Sequence, residues 1–90
     1  MVTAIVLLTA ERGKVHSIAE TLAGMKEITE VYSVAERYDL SVIVRGKDND
    51  NLEEFVTDQL LKVEGIINTE TLIAFRAYSR YDLERMFDID

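Results

Sequence analysis

The side chains of this chain that could do chemistry are few and scattered. His16 is the only histidine. A catalytic base needs an orienting partner and a substrate proton within reach, and no partner stands at a recognisable spacing from it. Its place beside Val15 and Ile18 fits the boundary of an apolar helix stripe. Asp48-Asn49-Asp50 is acidic enough to suggest a cation, but it lacks the glycine and the distal bidentate glutamate of a calcium loop and reads as a helix-capping loop. There is no cysteine, so thiolate chemistry, disulfides and cysteine metal sites are excluded. Ala10-Glu11-Arg12-Gly13-Lys14 lies between a strand and a helix, where backbone N–H groups can bind anions. A single glycine makes neither a Walker nor a dinucleotide pattern, and a plain loop is the better reading. No catalytic and no metal-binding constellation emerges, and none of the patterns calls for a cofactor.

Arg37-Tyr38-Asp39 says more. Aspartate is depleted in strands, so an Asp opening an apolar strand needs a reason. One reason is a corner capped by side-chain to backbone hydrogen bonds. The other is a carboxylate held out to meet an ammonium group or a partner chain. Thr69 and Thr71 carry the same two readings: strand propensity on an exposed or dimer-facing side, or hydroxyls lining a small polar pocket. Tyr32, Tyr38, Tyr78 and Tyr81 offer aromatic area with polar tips, suited to interfaces.

The elements that must position these residues follow from hydrophobic periodicity. Val2 to Thr9 is a strand apolar on both alternating faces, with Ala4, Val6 and Leu8 on one and Ile5 and Leu7 on the other, a pattern of burial on both sides. Lys14 to Met25 is a helix with Val15, Ile18, Ala19, Leu22 and Met25 on one stripe; Gly24 belongs to its end, where glycine accepts a left-handed conformation. Ile28 to Ala35 and Tyr38 to Gly46 form a hairpin around Glu36-Arg37, a tight polar corner with Tyr38-Asp39 opening the second of the two strands. Asp50, with Glu53 three residues on, starts a second helix as a capping box. Leu52, Phe55, Val56, Leu60 and Val63 carry that helix through Glu64, and Gly65 stops it. Ile66 to Arg76 is the fourth strand, with Thr69 and Thr71 on one face and Leu72 and Ala74 on the other. Ser79 caps a short final helix to about Phe87.

Ninety residues make one domain, residues 1–90, with a core over 1–76 and a C-terminal helical extension over 77–90. Such a chain buries only roughly 60–65% of its unfolded surface. The order strand-helix-strand, strand-helix-strand predicts a ferredoxin-like α+β fold: βαββαβ, a four-stranded antiparallel sheet with two helices on one face. The first and fourth strands are read as apolar on both faces, yet the helices cover only one, so the bare face needs a partner and sheet-on-sheet dimerisation supplies it. The net charge of −7, from 17 acidic and 10 basic residues, opposes direct nucleic-acid binding. The aromatic-rich basic motifs of RNA-recognition modules are missing. The apolar N-terminal run is far shorter than the roughly 20 residues of a membrane span and lacks a basic leader, which predicts a cytoplasmic protein.

Three runs carry a resemblance. Glu30-Val31-Tyr32-Ser33-Val34-Ala35-Glu36-Arg37-Tyr38-Asp39-Leu40, then Leu52-Glu53-Glu54-Phe55-Val56, then Val63 to Phe75 resemble the ligand-binding domain of the Lrp/AsnC transcription regulators, also called the RAM (regulation of amino-acid metabolism) domain. The likeness covers almost the whole chain through the order and spacing of individually loose motifs. With the first strand beginning at Val2, the chain resembles the stand-alone form lacking the helix-turn-helix domain, and Phe75 to Glu84 resembles that subgroup too. The resemblance implies a dimeric α/β barrel built sheet to sheet, assembled into an octamer or decamer. It implies an amino-acid effector bound between dimers at Glu36, Arg37, Tyr38, Asp39, Thr69 and Thr71. The family commonly has glycine where Glu36 stands, in a Gly-x-Tyr-Asp corner; a glutamate there would fill or recharge the pocket.

The function expected is an amino-acid-sensing oligomerisation module of transcription regulation, working through mixed assembly with full-length Lrp/AsnC regulators. Two alternatives stand beside it. Dimeric ferredoxin-like barrels also host small cofactor-independent oxygenases and isomerases, which would need a wide cavity under the sheet containing His16 or paired acids. A purely structural oligomerisation module with a degenerate site is the other.

Overall fold

A computed structural model describes residues 1–76 and 78. Seven elements follow one another: β1 (Val2–Ala10), α1 (Val15–Ala23), β2 (Ile28–Ser33), β3 (Leu40–Gly46), α2 (Asn49–Asp58), a short 3-10 turn (Leu60–Lys62) and β4 (Ile66–Ala74). The strands form one antiparallel sheet in the order β2-β3-β1-β4. With the two helices packed on one face, this is the expected ferredoxin-like α+β fold. The final helix expected over 79–87 lies outside the described residues.

The two faces of the sheet differ sharply. Ala4, Val6 and Leu8 of β1 and Leu40, Val42 and Val44 of β3 point toward the helices and are buried. Ile18 and Leu22 of α1, Leu52 and Phe55 of α2, and Leu60 close over them. Their i, i+3/i+4 spacing is the stripe that seats each helix. Burying side chains of this size stabilises the fold by about 1.5–3 kcal/mol each. On the other face the register lines up Ile5 with Ile43 and Leu72, and Leu7 with Ser41 and Glu70. Ile5, Leu7 and Ile43 are half-buried and Leu72 is exposed. At the end of β4, Phe75 is fully exposed.

Several local details depart from expectation. Tyr38 and Asp39 belong to the connection between β2 and β3, which runs over residues 34–39, and β3 begins at Leu40. The cap of α2 is Asp48, not Asp50. The Asp48 carboxylate accepts from the Asn51 N–H at 2.8 Å, and the Asn51 side-chain oxygen accepts from the Lys47 N–H at 3.1 Å. This reciprocal pair satisfies two backbone donors at the helix start. The α-helix ends at Asp58, and Leu60 reaches the core from the 3-10 turn that follows. Gly24 sits at the end of α1 with φ −85, so it is not left-handed. Gly65 is, at φ +99, and a Cβ there would lie 2.9 Å from Lys14 Cδ and 3.0 Å from Ile18 Cδ1. Its carbonyl accepts from Glu11 N–H at 2.7 Å, tying the turn before β4 to the loop after β1. Pairing of β2 with β3 shifts register between Ile28 and Glu30.

Candidate functional site

The β2–β3 corner is held by its own backbone and by Asp39. The Val34 N–H donates to the Asp39 carbonyl at 3.1 Å, and the Asp39 N–H donates to the Leu8 carbonyl at 2.9 Å. The Asp39 carboxylate then accepts, through Oδ2, from the Ala10 N–H at 2.8 Å. Asp39 is thus clasped to the end of β1 at two points. Its other carboxylate oxygen, Oδ1, has no hydrogen-bond partner among the described residues. Both readings of the aspartate are therefore compatible with one geometry: one oxygen caps the chain and the other stays available.

Glu36 adopts φ +81. A left-handed conformation costs a non-glycine residue about 1–2 kcal/mol, which explains in backbone terms why glycine would suit this position. The Glu36 and Arg37 side chains are exposed. The Arg37 guanidinium lies 5.8 Å from the Tyr38 ring centroid, within cation–π range. Tyr38 reaches across β1 on the face away from the helices and donates its hydroxyl to the Glu70 carboxylate of β4. That hydrogen bond, followed by desolvation and the charge of Glu70, raises the Tyr38 pKa above its ordinary value. Sequence reasoning missed Glu70; its place between Thr69 and Thr71, on the opposite face of the strand, was the available signal.

The six residues expected at the site separate into two groups on one protomer. Leu8 pairs with Leu40 and with Thr69, and its carbonyl receives Asp39, so the corner and Thr69 flank the same end of β1. Thr71 pairs with Val6, further along, and lines a groove of about 330 Å³ between β4 and α2 with Leu52, Val56, Ile73 and Glu53. No corner residue lines that groove. His16 stands in solvent on α1, its Nε2 3.5 Å from Glu20, and the space between sheet and helices is filled by apolar side chains.

A ferredoxin-like sheet with two helices on one face and a clasped corner defines a class of small α+β domains. Within it, this chain belongs to the Lrp/AsnC ligand binding domain family, whose profile matches residues 3–83. Among its relatives is the transcriptional regulator FL11 of Pyrococcus furiosus, 31% identical over 86% of this chain and 50% of that protein. The chain spans about half the length of the curated relatives it matches. It is also similar to the solved protein TTHA0845 of Thermus thermophilus, at 45% identity and a TM-score of 0.81, over 89% of this chain and 100% of that one. The transcriptional regulator NMB0573 of Neisseria meningitidis, solved as a complex with L-Met, shares the fold at 14% identity and a TM-score of 0.78, over 88% of this chain and 53% of that one.

Proposed function

We propose that this chain is an amino-acid-sensing assembly module of transcription regulation: a non-enzyme that binds a small amino acid between dimers and does not itself contact DNA. The Asp39 clasp carries this reading. Oδ2 is fixed by Ala10 N–H, so the carboxylate is pre-positioned while Oδ1 stays open to an ammonium group. An acceptor already held in place loses little freedom on binding. The hydroxyls of Thr69 and Thr71 and the corner backbone would hold the ligand's carboxylate or side chain. Thr71 lines a groove that no corner residue lines on the same protomer, an arrangement that suits a ligand taking the corner from one subunit and Thr71 from another.

Three further observations support the reading. The bare face has an apolar centre of Ile5, Leu7, Ile43 and Leu72, a pattern suited to a second copy. NMB0573, of the same fold, was solved with L-Met. The centre of the sheet–helix interface is filled by apolar side chains, and His16 stands in solvent, away from the groove beside Thr71, which favours binding over the chemistry of an oxygenase or isomerase. The net charge of −7 opposes a DNA-facing role for the domain. A ligand at a shared interface shifts assembly only through its preference for the assembled state, and mixed assembly with full-length regulators would pass that shift to DNA.

Thermal-shift screening of the common amino acids, with oligomer mass measured in parallel, tests the reading. Stabilisation by at least one, accompanied by growth of the oligomer, is expected. No stabilisation by any of them at millimolar concentration would sink it.

A further inference from the structure

We propose that the cleft beside Gly46 is a second ligand site, one that takes a small phosphate-bearing anion. Three cations from three parts of the chain meet there: Lys26 from the turn after α1, Arg45 from β3 and Lys47 from the loop before α2. They are three of only ten basic residues in a chain with 17 acidic ones. The ion pairs among the described residues are Lys14 with Glu11 and His16 with Glu20. None of the three cleft cations therefore has a described carboxylate within 4.0 Å. Clustering like charges without a counter-ion is unfavourable, and a polyanion placed among them relieves the repulsion.

The backbone holds these groups at fixed spacing. The Arg45 N–H donates to the Glu27 carbonyl at 2.8 Å, which ties the Lys26 turn to β3. Gly46 presses against α2: a Cβ there would lie 2.9 Å from Leu52 Cδ2, so the step between Arg45 and Lys47 has little room to move toward the helix. Asn51 also lines the cleft. Its side-chain oxygen is occupied by the Lys47 N–H, which leaves its amide N–H groups as the free end. The cleft thus offers a guanidinium fork, two ammonium groups and an amide, a donor set matched to phosphate oxygens arriving from several directions. One carboxylate, Glu27, also lines it, so a ligand with a single negative charge gains least and one with several gains most.

The cleft measures about 610 Å³, more than orthophosphate needs and within the range of small-molecule sites. It lies where Val2 pairs with Gly46, at the far end of β1 from the Leu8–Leu40 pair that anchors the corner. The two sites are therefore independent in space, and this inference does not rest on amino-acid binding at Asp39.

The test is a pair of titrations of the full chain at constant ionic strength, one with pyrophosphate and one with ATP, followed by amide NMR shifts. Shifts confined to residues 26–29 and 45–51 are expected. The exposed double variant Lys26→Ala/Lys47→Ala should weaken binding about tenfold or more, and Glu27→Gln should tighten it, with Asp39→Ala leaving it unchanged. Tighter binding of ATP would identify a nucleotide as the source of the phosphate; equal binding would identify the inorganic anion. The proposal is overturned if neither ligand moves those amides at millimolar concentration or if the double variant binds like wild type. It is equally overturned if duplex DNA at the same phosphate concentration moves them as much, because the cleft would then be a surface for backbone phosphates.

Discussion

The two faces of the sheet are built from the same strands and similar residue types, yet they meet different fates. On the helix side, Val6, Leu8, Val42 and Val44 are sealed to 0% exposure. One residue along each strand, Ile5, Leu7 and Ile43 remain half-buried, and Leu72 is 44% exposed. A strand apolar on both faces in a sheet covered on one is a statement about assembly. The first face stabilises the protomer, and under the proposed reading the second is left for another copy to bury. That division of labour has measurable consequences.

The largest effect belongs to the sealed face. Leu8→Ala should cost about 2–5 kcal/mol through lost burial and a residual cavity, read as a lower urea midpoint for the protomer. Ile43→Glu, on the open face, should leave the helix content intact by circular dichroism. It should instead collapse the sedimentation mass to that of a single chain, because a charge is then set in the middle of the apolar patch. If Ile43→Glu unfolds the protomer while Leu8→Ala merely dissociates it, the assignment of the two faces is inverted. Asp39→Ala comes next. Removing the acceptor of the Ala10 N–H should cost about 1–2 kcal/mol and abolish any amino-acid-induced thermal shift; retained ligand binding would show that the corner is structural only.

Smaller effects probe how the corner meets the open face. Glu36→Gly should raise stability by up to about 1 kcal/mol, the relief at φ +81 being partly offset by the greater freedom of glycine in the unfolded chain. A drop in melting temperature would mean that the Glu36 side chain contributes more than its backbone costs. The smallest effect is at alkaline pH. Tyr38 is shifted upward in the folded state by its hydrogen bond to Glu70, so its contribution is fully present below the unfolded value near 10. That contribution is lost as pH rises through the higher folded value. Tyr38→Phe should therefore flatten part of the stability loss above pH 10 in a pH-resolved unfolding series. Tyr32, raised in the same way by Glu30, should leave the remainder.

Much of this architecture was legible in the sequence, for a physical reason: period-2 and period-3.6 apolar patterns record which face is buried. The four strands, two helices and the bare face all follow from it. The failures occur where a local pattern competes with a contact distant in sequence. Tyr38-Asp39 looked like the start of a strand because Leu40 to Val44 is one. Asp39 was instead drawn to Leu8 and Ala10, 29 residues before it in the case of Ala10, and no periodicity reports such a contact. Two aspartates precede Asn51, and Glu53 made Asp50 look like the cap; the deciding residue was Asn51, which bonds in both directions. For the site, alternation placed Thr69 and Thr71 on one face correctly. It could not show that α2 leaves a groove beside Thr71 alone.

The two outer strands of the sheet also differ in how they resist unwanted pairing. Strand β2 is six residues long, and a short edge is a poor template. Both outer strands carry a register shift, β2 between Ile28 and Glu30 and β4 opposite Thr9 and Ala10, so length and exposed apolar side chains are what separate them. Strand β4 is nine residues long, contains no proline, and exposes Ile67, Leu72 and Ile73. In a concentrated preparation, runaway strand addition should therefore begin at β4. The substitution Ile67→Lys would install a gatekeeper there, leaving the helix-covered core untouched.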